Sequence, residues 1–373
     1  MSLEKINRIR EHPEFNEGEF EAILVTSPEN VLYVLGFKVE SEISILIPKE
    51  DHKETEGHLQ VFSSPLEYDE IKKNVALDPD LLNITDIVLI PPGATNFMGI
   101  QLKQLRIENL GFEDASVSVK KFEEWKGKYE ISKFFWVSNL LLDARKIKTK
   151  QEIERIKKAA DLGDIGFQTI YNSIEEGMTE KELAAEAEYE MRKAGGEGTS
   201  FDTIVASGHN SAFPHSTTSE KQVQDGDLII VDIGSKYEGY CSDMTRTFIF
   251  GRVDPEKAEL VNLVNDGQRY VLDQIKAGLI CKEVDGFARD FFAQKKKEWS
   301  ERFIHSLGHG VGVEIHENPY LSPISEEVLK ENMIVTVEPG IYLPRIGGAR
   351  TEDLLVIKEN GYECLTHSEK YYY

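Results

Sequence analysis

Cysteine is scarce in this chain. Its 373 residues include three, Cys241, Cys281 and Cys364, far apart and without a Cys-x-x-Cys spacing. This argues against a disulfide framework or a thiolate zinc site and fits a reducing, cytoplasmic setting. Long apolar runs are missing as well. No stretch approaches the roughly 20 residues that a membrane-spanning helix requires. Met1 to Phe20 is charged throughout, unlike a signal peptide or an anchor. Positive charge is in deficit: 43 Lys and Arg against 66 Asp and Glu give a net charge of −23. A general nucleic-acid or anionic-membrane binder needs the opposite balance, so neither partner is expected. The run Lys295-Lys296-Lys297 sits before Glu298 in a helical pattern and reads as a solvated face. There is no Gly-x-Ser-x-Gly elbow, no sign of a Cys–His arrangement and no nucleotide-phosphate motif.

What is present suits a globular protein of two domains: 40% apolar and 29% charged residues, in a chain long enough for two cores. The first part reads as a small α/β unit. Strands are expected at Phe20–Thr26, Ile43–Ile47, Leu59–Phe62 and Asp86–Ile90, with a helix capped by Ser27-Pro28 and another over Phe97–Leu110. A long helix begins near Thr149, with Ile153, Ile156, Ala159, Ala160 and Ile170 at helical spacing. The boundary therefore falls near residue 146, giving domains 1–146 and 147–373. Thr179-x-x-Glu182 predicts a capping box, and Gly195-Gly196 a stop. Beyond Asp202, strands such as Leu228–Val231, Thr247–Phe250, Ile334–Val337 and Leu354–Ile357 alternate with Gly-, His- and Asp-rich loops. Helices are expected at about 255–277, 282–298 and 325–331. The pattern is that of an α+β domain with mainly antiparallel strands.

Two segments of that domain echo each other. Val231-Asp232-Ile233-Gly234 is followed by Asp243, and Val337-Glu338-Pro339-Gly340 by Glu352. Each reads as a strand ending in a carboxylate, a Gly-containing turn and a returning strand with a second carboxylate. Antiparallel neighbours lie side by side, so each pair can face one centre. Buried carboxylates repel unless cations lie between them. Two divalent ions, spaced roughly 3.5–4 Å in such sites, resolve the conflict and activate a shared water. His309, in Gly308-His309-Gly310, adds an imidazole. Hard oxygens with one nitrogen suit Mn, Co, Zn or Fe without choosing among them. A single Asp on a hairpin is usually a turn residue, and Gly308–Gly312 has a faint likeness to a dinucleotide loop without its strand or spacing. The combination carries the reading: five ligand-type residues, a repeated hairpin and the accessory histidines His215, His305 and His316. An imidazole beside such a centre can donate to a developing oxyanion.

These residues form a recognisable set. Ser207-Gly208-x-Asn210-Ser211-Ala212-x-Pro214-His215 and Gly239-Tyr240-x-Ser242-Asp243-x-Thr245-Arg246-Thr247 come first. His305-x-x-Gly308-His309-Gly310-Val311-Gly312, His316-Glu317-x-Pro319 and Glu338-Pro339-Gly340-x-Tyr342 follow, and Gly347-Gly348-x-Arg350-x-Glu352-Asp353 completes it. In order and spacing the set resembles the Xaa-Pro peptidases of the pita-bread metallopeptidase family, prolidases and aminopeptidase P, and most of all archaeal and bacterial prolidase-like proteins. The resemblance implies a pseudo-twofold antiparallel sheet flanked by helices behind a smaller α/β domain. It implies two divalent ions on Asp232, Asp243, His309, Glu338 and Glu352, with Asp243 and Glu352 bridging. Glu338 would also move a proton to the leaving proline nitrogen, and His316 would stabilise the tetrahedral intermediate. His215 would line the substrate site, and Arg350 would orient substrate or ligands. Phe213, His305, Tyr320 and Tyr342 would lie along the substrate cleft. Proline-containing di- or oligopeptides would be the substrates and a homodimer the assembly. Where archaeal prolidases of this type often carry Arg directly after His-Glu-x-Pro, this chain has Tyr320, which leaves dipeptide or longer-peptide preference open. Aminopeptidase P is the alternative; methionine aminopeptidase and an inactive peptide-binding module fit less well, because the glycine-arginine approach to Glu352 and the full ligand set are intact.

Overall fold

A computed structural model describes residues 2–373. The chain divides into two compact units, one ending at Arg145 and the other running from Lys146 to Tyr373. The first is built on β1 (Ala22–Val25), β2 (Ser44–Pro48), β3 (Leu59–Ser63), β4 (Thr85–Leu89), β5 (Asn109–Phe112) and β6 (Lys133–Trp136). They form one sheet in the order β4-β3-β2-β1-β5-β6. The β1–β2 and β2–β3 pairs are antiparallel and the others parallel. Side chains of a strand alternate between faces, and here both faces are covered. Ile23, Ile45 and Val61 enter one apolar cluster, and Leu24, Leu46 and Phe62 the other. That is why these strands read as unbroken apolar runs. Ser27 caps helix Pro28–Leu35 by accepting from the Asn30 amide. The helix expected over Phe97–Leu110 is shorter, Phe97–Gln104. Arg106 turns the backbone to φ 53, and Asn109 and Leu110 are drawn into β5 by partners on both sides.

The second unit has two halves of similar construction. In the first, helix Lys150–Ser173 starts at a capping box of Thr149 and Glu152 and buries Ile153, Ile156, Ala159, Ala160 and Ile170. Helix Glu180–Lys193 starts at the box of Thr179 and Glu182 and ends before Gly195, at φ 112. Then come β7 (Gly198–Thr199), β8 (Ile204–Ser207), β9 (Leu228–Ile233), β10 (Ser235–Tyr237), β11 (Tyr240–Cys241) and β12 (Met244–Ile249). In the second half, helices Pro255–Leu272 and Cys281–Lys295 precede β13 (Gly308–Gly310), β14 (Glu317–Leu321) and β15 (Ile334–Val337). The rest are β16 (Gly340–Leu343), β17 (Gly347–Arg350), β18 (Asp353–Lys358) and β19 (Gly361–Cys364). The sheets run β12-β9-β8 and β14-β13-β15-β18-β19, with the smaller sets β11-β10-β7 and β16-β17. Every pairing in this unit is antiparallel. No described helix is long and apolar enough to cross a membrane.

The segment 325–331, expected as a helix, is irregular, with one isolated bridge from Val328 to Ile280. Its backbone is taken up by neighbours: Lys282 N donates to Ser325 O, Cys281 N to Glu327 O, and Leu329 N to Leu279 O. The helices expected at 255–277 and 282–298 end earlier, at Leu272 and Lys295, the latter followed by a short turn of helix at Lys297–Ser300. The echoed hairpins are also less direct than expected. Between β9 and β12 the chain makes an excursion through β10 and β11, and between β15 and β18 one through β16 and β17.

Arg246 ties the centre of this unit together. It is 1% exposed and donates to the carbonyls of Thr245, Glu352 and Ser368 and to Asp353 Oδ1. Burial pushes the Asp353 carboxyl up, but Arg246 and Lys370 outweigh it and hold it at about 2. Breaking such a buried pair from one side is expensive, so Arg246→Met is expected to lower stability by about 3–5 kcal/mol in chemical denaturation. Because the folded pKa of Asp353 lies below its unfolded value, its contribution is present above about pH 4 and fades as pH falls towards about 2. Wild type minus Arg246→Met stability, measured across that window, should shrink accordingly.

Candidate metal centre

The two halves meet where their strands end. Asp232 lies on β9 opposite Thr245 of β12, and Asp243 sits on the bend just before β12. In the second half the last β15–β18 pair is Val337 with Asp353. Glu338 and Glu352 lie immediately beyond it. The Glu352 amide donates to Thr245 O at 3.0 Å, so the end of one sheet is bonded to the other. His309 is the middle residue of β13. Its glycine neighbours permit close packing: a Cβ at 308 would lie 2.0 Å from Thr336 O, and one at 310 would lie 2.4 Å from Asn318 O.

Asp232, Asp243, His309, Glu338 and Glu352 all line one cavity of about 330 Å³. One ligand atom each from Asp243, His309 and Glu352 lies within 4.8 Å of the others. His309 Nε2 is 3.5 Å from Asp243 Oδ2 and 3.4 Å from Glu338 Oε1. The electrostatics are unfavourable for bare side chains. Burial, then the facing Glu352 and Asp232, drives the Asp243 carboxyl well above the usual carboxylate range. Burial, then Glu338 and Asp232, does the same to Glu352. Burial raises Glu338 to about 8, with Arg350 working against it. Burial also lowers His309 to about 4, so its ring is neutral.

The donor set fits divalent cations. His309 Nδ1 is 3.0 Å from Gly310 O, which can only accept, so the ring proton is on Nδ1. The Nε2 lone pair therefore faces carboxylate oxygens that also carry lone pairs, an arrangement that a cation relieves. Asp232 Oδ1 is buried without a hydrogen-bond partner. Carboxylate oxygen with one imidazole is the ligand chemistry of Mn, Co, Zn and Fe.

The description of metallopeptidase family M24 matches residues 154–359, and that of the Creatinase/Prolidase N-terminal domain matches residues 6–147. An Xaa-Pro dipeptidase of Pyrococcus horikoshii is 36% identical over 368 residues, 98% of each chain. One from Pyrococcus furiosus is 43% identical over 263 residues, 70% of this chain and 75% of the relative. The solved structure of an Xaa-Pro dipeptidase from Bacillus anthracis superposes with a TM-score of 0.91 at 36% identity, covering 100% of this chain and 99% of that one. The chain belongs to metallopeptidase family M24. Its second unit has the pita-bread fold of that family, with the two similar halves as its pseudo-twofold repeat.

Around the M24 centre, the residues marked by the sequence divide into lining and support. His215, His305, His316, Tyr320 and Arg350 line the cavity. Tyr320 is 43% exposed at its edge. The His316 ring stands edge-on to His309, with centroids 4.4 Å apart. Phe213, expected as a cleft wall, does not line the cavity. It closes a 3-10 turn (Gly208–Ala212) with its side chain 58% exposed, while the next two residues, Pro214 and His215, take the wall. Tyr342 lies behind the wall: its hydroxyl bonds Arg350 Nη1 at 2.6 Å and His305 Nε2 at 3.2 Å. Four of the five Arg350 N–H groups are engaged, with Asp232 Oδ2, the Tyr342 hydroxyl, Thr245 Oγ1 and Pro214 O as acceptors. One of these bonds ties its guanidinium to the Asp232 carboxylate.

Two threonines support the candidate ligands without having been given a role by the sequence: Thr245, which stands within a motif, and Thr336, which does not. Thr245 donates to Glu352 Oε2 at 2.7 Å. Thr336 accepts from the His309 amide at 3.0 Å and lies 3.5 Å from Glu338 Oε1. Each is two positions from a carboxylate, Asp243 and Glu338, the spacing that returns a strand to the same face. That periodicity was the available signal.

A folded carboxyl held above its unfolded pKa adds stability below the unfolded value and loses it as pH rises through the folded one. The melting temperature in EDTA is therefore expected to fall between about pH 5 and about pH 8, relative to protein saturated with a divalent ion. A gap between the two curves that does not widen with pH would contradict this account of the centre.

Proposed function

We propose that this M24 enzyme is an Xaa-Pro dipeptidase, releasing proline from the C-terminal side of a dipeptide, with two divalent ions held by Asp232, Asp243, His309, Glu338 and Glu352. The observation that carries it is the convergence of these five side chains on one cavity. The near full-length similarity to Xaa-Pro dipeptidases supports the substrate class. Domain 147–373 does the chemistry in this reading and domain 1–146 accompanies it. Divalent ions at such a site lower the pKa of a water and polarise the scissile carbonyl.

The chain's own residues then have distinct tasks. The bond before proline is a tertiary amide, so its nitrogen carries no hydrogen and must gain a proton to leave. Glu338, 18% exposed at the side chain and held near Thr336, takes the proton from the attacking water and returns it to that nitrogen. His316 donates to the oxyanion of the tetrahedral intermediate. His215 and Tyr320 contact the substrate from the cavity edge, and His305 walls the proline side, steadied by Tyr342. Arg350 fixes the carboxylate of Asp232. Mn, Co, Zn or Fe each satisfies this donor set. A homodimer in the cytoplasm completes the reading. The family resemblance supports the dimer, and three free thiols suit a reducing compartment.

Rates on Xaa-Pro, Xaa-Pro-Xaa and Met-Xaa peptides, compared across Mn, Co and Zn, test the proposal. The dipeptide should be hydrolysed fastest; preference for the tripeptide indicates an aminopeptidase P and for Met-Xaa a methionine aminopeptidase. Asp243→Asn is expected to lower metal content and reduce kcat by about a thousandfold or more, and wild-type turnover would sink the ligand assignment. His316→Ala should lower kcat by about 100-fold with a smaller change in KM, whereas a pure KM effect would contradict its role.

A further inference from the structure

Lys148 lies just before the cap of helix Lys150–Ser173, far in sequence from the candidate centre. Its side chain is 1% exposed and donates to Glu317 Oε1 at 2.6 Å; the Glu317 side chain is 2% exposed. Lys148 is held by its own backbone, whose amide donates to Asn332 O at 2.9 Å. Glu317 opens β14 and directly follows His316.

We infer that Lys148 is a positioning residue for the reaction, its ion pair with Glu317 fixing the turn of residues 312–317 and thereby aiming the His316 ring at the cavity. The inference rests on the role given to His316 above. Both ends of the turn are pinned. At one end, Gly312 O accepts from the Cys241 amide at 2.8 Å and Gly312 N donates to Glu314 O at 3.0 Å. At the other stands Glu317, with its carboxylate pressed against Gly312: a Cβ there would lie 2.4 Å from Oε1. His316 is carried between these points, edge-on to His309. The same helix start reaches the other half of the site. Glu152 Oε1 accepts from the Tyr240 hydroxyl at 3.1 Å, on the excursion that leads to Asp243. A buried lysine–glutamate pair adds little stability that two apolar residues would not supply. It does hold two backbones at a fixed separation.

The test is a double-mutant cycle on a rapid dipeptide assay, in wild type and in His316→Ala, with circular dichroism and metal content measured for each protein. Lys148→Met in wild type is expected to lower kcat by about 100-fold, as misplacement of a catalytic group does, with KM and metal content little changed. In His316→Ala the same substitution should cost less than about threefold, because the group it positions is already gone. Lys148→Arg should recover most of the rate. If Lys148→Met fails to fold, Glu317→Gln, which keeps the shape and an acceptor, takes its place in both backgrounds. Equal losses in both backgrounds, an unchanged kcat in a folded variant, or loss of metal would each overturn the inference. Unimpaired turnover by His316→Ala alone would instead overturn the role assigned to His316.

Discussion

The constraint on which the catalytic unit depends is repulsion. Asp232, Asp243, Glu338 and Glu352 are brought into one cavity by backbone hydrogen bonds that do not depend on their charge. Left alone, burial and mutual proximity push Asp243, Glu338 and Glu352 towards their protonated forms. The protein offers one permanent counter-charge, Arg350, and fixes it to Asp232. Neutral His309 adds a lone pair and no positive charge. The site is thus assembled at a net electrostatic cost that divalent ions offset, and the fold is rigid enough to hold the groups together meanwhile.

That rigidity is local and identifiable. The glycines flanking His309 let β13 lie close against Thr336 and Asn318. Thr245 and Thr336 orient Glu352, Glu338 and the His309 backbone from opposite halves. Arg246 fastens the carbonyl of Glu352, and Asp353 beside it, from below. A set of neutral hydroxyls, backbone groups and one satisfied buried ion pair surrounds the repelling carboxylates, so their geometry does not relax outward.

Much of this was legible in the sequence because the candidate ligands fall at strand ends and the strand ends are marked by glycine. The helix start near Thr149, the capping box at Thr179 and the Ser27 cap were readable because capping is local. What failed to show was decided by partners distant in sequence. Residues 325–331 have a helical composition but are claimed by the backbone of 279–282. Asn109 and Leu110 leave a helical pattern for a strand with neighbours on both sides. Phe213 is an aromatic beside a motif, which suggested a wall; the 3-10 turn before it sends the side chain outward. The anchoring of Arg350 depends on four acceptors from separate elements, a fact no spacing reveals.

The amide of Glu352 bonded to Thr245 O has a consequence for how the unit comes apart. This bond joins the two halves at the candidate metal ligands themselves, beside other bonds such as those between Thr247 and Arg350. An opening that separates the halves breaks it and displaces Glu352 from Asp243 in the same movement. If divalent ions bind at these residues as proposed, their release and exposure of this amide to solvent exchange belong to one opening event. The repeat is thus symmetric in layout, while the candidate ligands are shared out between its halves: Asp232 and Asp243 from one, His309, Glu338 and Glu352 from the other.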